Sequence, residues 1–193
     1  MIKSVYIDAG GHGGQSIERF KAMTNGMPNI TIYSFECHPR CYEKLKTYET
    51  ENIIVSNSAV WIEDGTLDFY LDMLDETTDR GFPGQASTIS KTKVNRGIPG
   101  QFTSDSLVKV PCIDFSSWIK SQLNIDDYIY LKMDIEGSEY EVLDKMINDG
   151  TINYLDGLDI EFHYHKIGLD KSVHDILVNK LKVLDIDLNI RTH

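Results

Sequence analysis

The chain is short of cysteine, proline, tryptophan and positive charge. Its 193 residues include 3 Cys, 5 Pro and 2 Trp, and 19 Lys and Arg stand against 30 Asp and Glu, for a net charge of −11. The shortages of cysteine and of positive charge each exclude something. Cys37, Cys41 and Cys112 are too few and too scattered to staple a secreted scaffold, so they read as free thiols in a reducing cytoplasm. Cys37 and Cys41 flank His38, yet no second Cys/His pair at zinc-site spacing accompanies them, and no metal is expected there. The acidic balance disfavours nucleic acid and anionic membranes as partners. The single modest basic cluster, Lys91, Lys93 and Arg96, reads as a solvated loop. No apolar run approaches the roughly 20 residues of a membrane-spanning helix. The N-terminus opens on a strand-like run, Val5-Tyr6-Ile7, with no sign of a leader. The expectation is a soluble, cytoplasmic protein.

What is present is alternation. The length fits one domain, 1–193, able to enclose a sheet between layers of helices. Ser4 to Ala9 reads as a buried strand and Gly10 to Gly14 as a turn. Gln15 to Met23 reads as a helix with Ile17, Phe20 and Ala22 toward a sheet. Thr31 to Glu36 is a second strand. Pro39 opens a helix carried on by Tyr42, Leu45 and Tyr48, and Asn52 to Val60 reads as a third strand. This order demands a parallel sheet with crossover helices.

The pattern breaks in the middle. Thr66 to Leu71 alternates like an antiparallel strand with Val108 to Ile113 as its partner. The intervening segment, about 73–107, is rich in Gly, Ser, Thr and Pro and reads as a flexible substrate-covering loop. Alternation then resumes with a helix at Phe115 to Leu123, a strand at Tyr128 to Ile135 and a helix at Ser138 to Ile147. A strand at Gly157 to His163, a helix at Lys171 to Val183 and a last strand at Ile186 to Arg191 follow. The fold class is α/β, a Rossmann-like sandwich with a mostly parallel central sheet and a hairpin-and-loop insertion.

Four motifs carry chemistry. Asp8-Ala9-Gly10-Gly11-His12-Gly13-Gly14 lies between the first strand and the first helix, where glycines let a ligand approach the main chain. The G-x-G-x-x-G of dinucleotide enzymes is absent. The acid Asp8 would repel pyrophosphate and suits the cationic end of S-adenosylmethionine. Glu36, ending the second strand, can accept hydrogen bonds from both hydroxyls of an adenosine ribose, with Cys37 beside it and Asn57 and Ser58 placed for the adenine. Lys132-Met133-Asp134-Ile135-Glu136-Gly137 puts charges at the end of a buried strand, where ligands of open α/β sheets bind. Lys132 reads as an ion partner, Asp134 and Glu136 as the cleft floor. Finally, Glu161 and His163 share one face of the next strand, with Tyr164 and His165 following as candidate lining of an acceptor pocket.

Together these motifs resemble the FkbM-type methyltransferase family, with Lys132 to Glu139 (K-x-D-x-E-G-x-E) as the most specific run and Glu161 to His163 as the later E-x-H. The resemblance implies a class I methyltransferase fold, bound S-adenosylmethionine and O-methylation of a sugar, glycan or natural-product hydroxyl. Two departures stand out: Gly11-His12 replaces the usual Ala-Asn, and the chain stops soon after its sixth parallel strand, which leaves an edge that a homodimer would cover.

On this reading Asp8, Gly10, Gly11, His12, Gly13 and Glu36 serve the cofactor, Asp134 borders both ligands, and His163 is the candidate base on the acceptor. A second version has Asp134, Glu161 and His163 holding a divalent cation that orients a diol, though no metal is expected. Two other classes stay open: a nucleotide-dependent oxidoreductase, and a non-catalytic binding module on the same fold.

Overall fold

The computed structural model describes residues 2–25, 27–76 and 86–192, the last two residues of the middle stretch by backbone alone. Nine strands and eight α-helices follow one another in the described chain: β1 (Ser4–Ala9), α1 (Gln15–Met23), β2 (Ile30–Phe35), α2 (Pro39–Leu45), β3 (Ile53–Ser56), β4 (Ala59–Trp61), β5 (Gly65–Tyr70), α3 (Met73–Glu76), α4 (Lys91–Arg96), β6 (Leu107–Asp114), α5 (Phe115–Gln122), β7 (Tyr128–Met133), α6 (Glu139–Asn148), β8 (Gly157–Phe162), α7 (Tyr164–Ile167), α8 (Lys171–Lys182) and β9 (Asp187–Thr192). Six strands form one parallel sheet in the order β3-β2-β1-β7-β8-β9. The order reverses between β1 and β7, and that switch point is where ligands of open α/β sheets bind.

Period-2 alternation sends the two faces of β1 to different cores. Val5, Ile7 and Ala9 join Leu131, Met133, Leu158 and Ile160 under α5, α6 and α8, which contribute Ile119, Leu143, Met146 and Leu181. Tyr6 points the other way, with Ile32, Ile17 and Phe20 of α1 and Leu45 of α2. On that second face the cross-strand register sets Ser34, Asp8, Lys132 and Asp159 side by side. Burying such a row is tolerable because its charges alternate in sign.

A second sheet, β4-β6-β5, pairs β5 and β6 antiparallel from Gly65↔Cys112 to Tyr70↔Leu107, as the alternating runs predicted. It also corrects one expectation. Asn52 to Val60 is not a single strand: the chain leaves the main sheet after Ser56 and enters the second sheet at Ala59, with polar, exposed Asn57 at the break.

The region 73–107 is more ordered than a loop where it is described, carrying α3, α4 and a bridge between Tyr70 and Thr88; residues 77–85 lie outside the described structure. The basic cluster is α4, and Lys93 is buried there (5% exposed), contrary to the solvated-loop expectation. Ala22 is exposed, because the short α1 covers the sheet with Ile17 and Phe20 alone. Among the described residues no helix is long and apolar enough to cross a membrane.

Candidate active site

A cleft of about 660 Å³ opens beyond the carboxyl ends of β1, β2 and β7, within the size range of small-molecule sites. Its two ends differ in construction.

At one end the glycine loop is laid over the end of β2, since Gly10 N and Gly11 N both donate to the Phe35 carbonyl, at 3.1 and 2.9 Å. Gly10 has φ 88, and a Cβ there would run into the backbone carbonyl of Asp134. Only glycine satisfies both conditions. His12 follows with φ 45, a left-handed conformation that His and Asn both tolerate. A histidine can therefore stand where the resemblance has asparagine. The His12 N–H donates to Glu36 Oε2 at 2.7 Å, and the His38 N–H to Oε1 at 2.6 Å. Burial pushes the Glu36 pKa up, and these two main-chain donors pull it part of the way back. Each oxygen keeps lone-pair capacity for a further donor from the cleft side.

Asp8 is fully buried and is not on the cleft wall. Its carboxylate pairs with Lys132 at 3.3 Å and accepts from the Ser34 hydroxyl at 3.1 Å. Burial nonetheless leaves its pKa above the ordinary carboxylate value. Lys132 fills the ion-partner role expected of it. It also donates to the Gly10 carbonyl at 2.8 Å and lies 3.7 Å from Asp134, so it ties the loop to the cleft floor.

At the other end Asp134 and Glu136 sit in the turn just after β7, and Glu161 is next to last in β8. All three line the cleft. Glu136 adopts φ 56, its carbonyl accepts from Thr88 Oγ1 at 2.7 Å, and its carboxylate pairs with Lys93. His163 lies behind these carboxylates, 0% exposed. Its Nδ1 is 2.9 Å from Glu139 Oε1, and the Glu139 carboxylate is itself fixed by the Ile135 and Gly137 N–H groups at 3.1 to 3.2 Å. Burial works against the imidazolium, but the Glu139 hydrogen bond and the charges of Glu136 and Glu139 outweigh it, so the pKa of His163 sits above its ordinary value.

The structure thus brings Gly10, Gly11, His12, Glu36, Cys37, Ser58, Asp134, Glu136 and Glu161 to the lining of one cleft. Gly13, Asn57, Tyr164 and His165 are not on it. Tyr164 stacks on His174, ring centroids 4.5 Å apart, and His165 faces a smaller hollow beside Lys93 and Arg96. Sequence reasoning missed Arg19, Asp72, Lys166 and Arg191, together with an apolar wall of Val60, Phe69 and Ile89. Arg19 offered the one available signal: it stands on α1 one residue before the buried Phe20, and its guanidinium reaches Asp159 at 2.8 Å.

Residues 8–184 match the methyltransferase FkbM domain. The chain belongs to that family. It is also similar to the crystal structure of methyltransferase FkbM from Methylobacillus flagellatus KT, with a TM-score of 0.52 and 16% identity over 96% of this chain and 38% of that one. At that identity the likeness concerns the fold, and this chain spans little more than a third of the other protein's length. No curated protein matches. Within the FkbM-family domain, the run from Lys132 to Glu139 supplies the loop tie, the acidic wall and the carboxylate behind His163.

Proposed function

We propose that this FkbM-family domain is an S-adenosylmethionine-dependent methyltransferase acting on a hydroxyl of a sugar, glycan or small natural product in the cytoplasm. The observation that carries the reading is one cleft with Glu36 at one end and the Asp134, Glu136 and Glu161 carboxylates at the other.

The donor set fits the cofactor. Glu36 is oriented by main-chain donors and faces the cleft, as ribose hydroxyls require. Phe35, Cys37, Val60 and Phe69 give an apolar wall for a purine, with Ser58 as a polar contact. Asp134 offers a carboxylate to the ammonium and sulfonium end and shares Lys132 with the buried Asp8, and Arg19 offers a guanidinium to the amino-acid carboxylate. Bound there, S-adenosylmethionine would supply an electrophilic methyl carbon. The protein's task is then to hold an acceptor oxygen in line and remove its proton. Glu161 and Asp134 are the groups that reach the acceptor. His163 backs them from 3.6 and 3.8 Å, positioned by Glu139.

The test is calorimetric titration with S-adenosylmethionine and S-adenosylhomocysteine, followed by labelled-methyl transfer to a panel of sugars and polyols. Binding of both with transfer to oxygen is expected. Binding of NAD and of neither methionine derivative would overturn the reading in favour of an oxidoreductase.

A further inference from the structure

Each carboxylate at the acidic end turns one oxygen toward a cation and the other toward His163. Glu136 gives Oε2 to Lys93, Glu161 gives Oε2 to Arg191 at 2.7 Å, and Asp134 Oδ2 lies 3.7 Å from Lys132. Their second oxygens, Glu136 Oε1, Glu161 Oε1 and Asp134 Oδ1, stand 3.6, 3.6 and 3.8 Å from His163 Nε2. Those separations are too long for hydrogen bonds. Nε2 belongs to a side chain that is 0% exposed, and it has no hydrogen-bond partner among the described residues. A buried nitrogen left unsatisfied while aimed at three carboxylate oxygens needs an explanation.

The spacing supplies one. Donor atoms bound to one ion at about 2.1 Å lie roughly 3 Å apart when adjacent and about 4.2 Å apart when opposite. The donor atoms of Asp134, Glu136 and His163 all fall within 4.8 Å of one another, so a slight contraction would close them on an ion. We propose that Asp134, Glu136 and His163 form a divalent-cation site at the acceptor end of the cleft, with Glu161 at its edge, 3.6 Å from His163 Nε2.

The rest of the neighbourhood fits that assignment. Glu139 holds Nδ1 of His163, an outer-shell arrangement common for metal-binding histidines, and an ion would bind at Nε2 in place of a proton. An oxygen-rich set with one imidazole suits Mn(II) or Mg(II), since none of these ligands is a thiolate that would draw a softer ion. Lys93, Arg191 and Lys132 orient the outer oxygens and limit carboxylate repulsion, so the chain can fold without the ion. The carboxylates open on the cleft, which leaves room for an acceptor to complete the coordination. Resting on the methyltransferase reading, this narrows the acceptor to a vicinal diol, whose two oxygens an ion can grip while lowering the pKa of the one to be methylated.

The experiment uses the full chain, stripped with a chelator and titrated with Mn(II), free ion being followed by electron paramagnetic resonance. One Mn(II) per chain is expected. Its affinity should fall at least about tenfold in Asp134→Asn and in His163→Gln, with unchanged circular dichroism. Asp134→Asn decides the matter if the buried His163 variant misfolds. No saturable uptake by the wild type, or equal affinity in the variants, overturns the site. Titrating the stripped chain with S-adenosylmethionine keeps the two claims apart. Cofactor binding without Mn(II) uptake sinks the ion alone, whereas Mn(II) uptake without cofactor binding sinks the methyltransferase reading alone.

Discussion

The two ends of the cleft hold their carboxylates by opposite means. Glu36 is fixed by main-chain N–H groups of His12 and His38, and the loop above it by the carbonyl of Phe35. Asp134, Glu136 and Glu161 are fixed by side-chain cations, one of them on α4 and another on β9, around a histidine nitrogen with no described partner. Backbone donors come with the fold and tolerate changes of side chain. Ion pairs inside a cleft depend on which residues arrive from distant segments, and losing one partner strands the other. The first construction suits a ligand that stays the same. The second suits a site whose charge can be retuned by replacing a few side chains.

The largest effect is expected from joining the two ends where they touch. Gly10→Ala would force a Cβ into the Asp134 carbonyl at a left-handed φ, displacing the loop and the start of the acidic turn together. A loss of about 3 kcal/mol in urea unfolding is expected, with cofactor binding lost as well. A variant of wild-type stability would show that the contact is not tight. Next comes Glu161→Gln, which touches the acidic end alone. On the proposed mechanism turnover falls about 10²- to 10³-fold while S-adenosylmethionine affinity stays within about twofold, as labelled-methyl transfer and calorimetry would show. The converse substitution, Glu36→Gln, weakens cofactor binding by about tenfold through loss of charged hydrogen bonds and leaves Mn(II) uptake untouched. If either variant moved both readouts equally, the two ends would not be separate devices.

Legibility in the sequence follows the same division. β1 and α1 fall at the residues the periodicity indicated, and Glu36 and the glycine loop were found, because strand, turn and helix there are written within some thirty contiguous residues. The break at Asn57 was hidden by apolar residues on both sides, which read as one strand although they serve two sheets. Lys93 was misjudged because a lysine in a polar stretch carries no mark of its partner, which lies 43 positions away. Asp8 was correctly placed at the end of β1. Its burial beneath the loop depends on Lys132 of the neighbouring strand, a register that single-strand patterns do not reveal. Asp134, Glu136, Glu161 and His163 were legible as a set because charges at the end of an apolar strand stand out against their costs. Which of them faces the cleft was not, since that follows from the turn at Glu136 and from Glu139 drawing His163 inward.

The smallest effect is expected from a lysine–carboxylate pair outside the cleft. Asp114 caps α5, accepting from the Ser117 N–H at 3.1 Å, and it meets Lys145 of α6 at 2.6 Å. Lys145 also donates to the Ile62 carbonyl at 2.6 Å, so the pair fastens the second sheet to the helical layer. Asn caps a helix about as well as Asp, so Asp114→Asn removes the ion pair and little else. About 0.5 to 1 kcal/mol of stability should go, with cofactor binding and turnover unchanged. The pH dependence has a definite sign. Burial alone would raise the Asp114 pKa, but the hydrogen bonds from Lys145 and Ser117 outweigh it and hold the value below the ordinary one. A depressed carboxylate contributes its stability in full above the unfolded value of about 3.9 and loses it as pH falls through the lower folded value. Urea midpoints of wild type and Asp114→Asn should therefore differ at neutral pH and converge below about pH 4. A gap that persisted in acid would mean that the cap or the packing, and not the charge, holds this corner. A drop in turnover would mean that the acidic end is not insulated from ion pairs elsewhere in the fold.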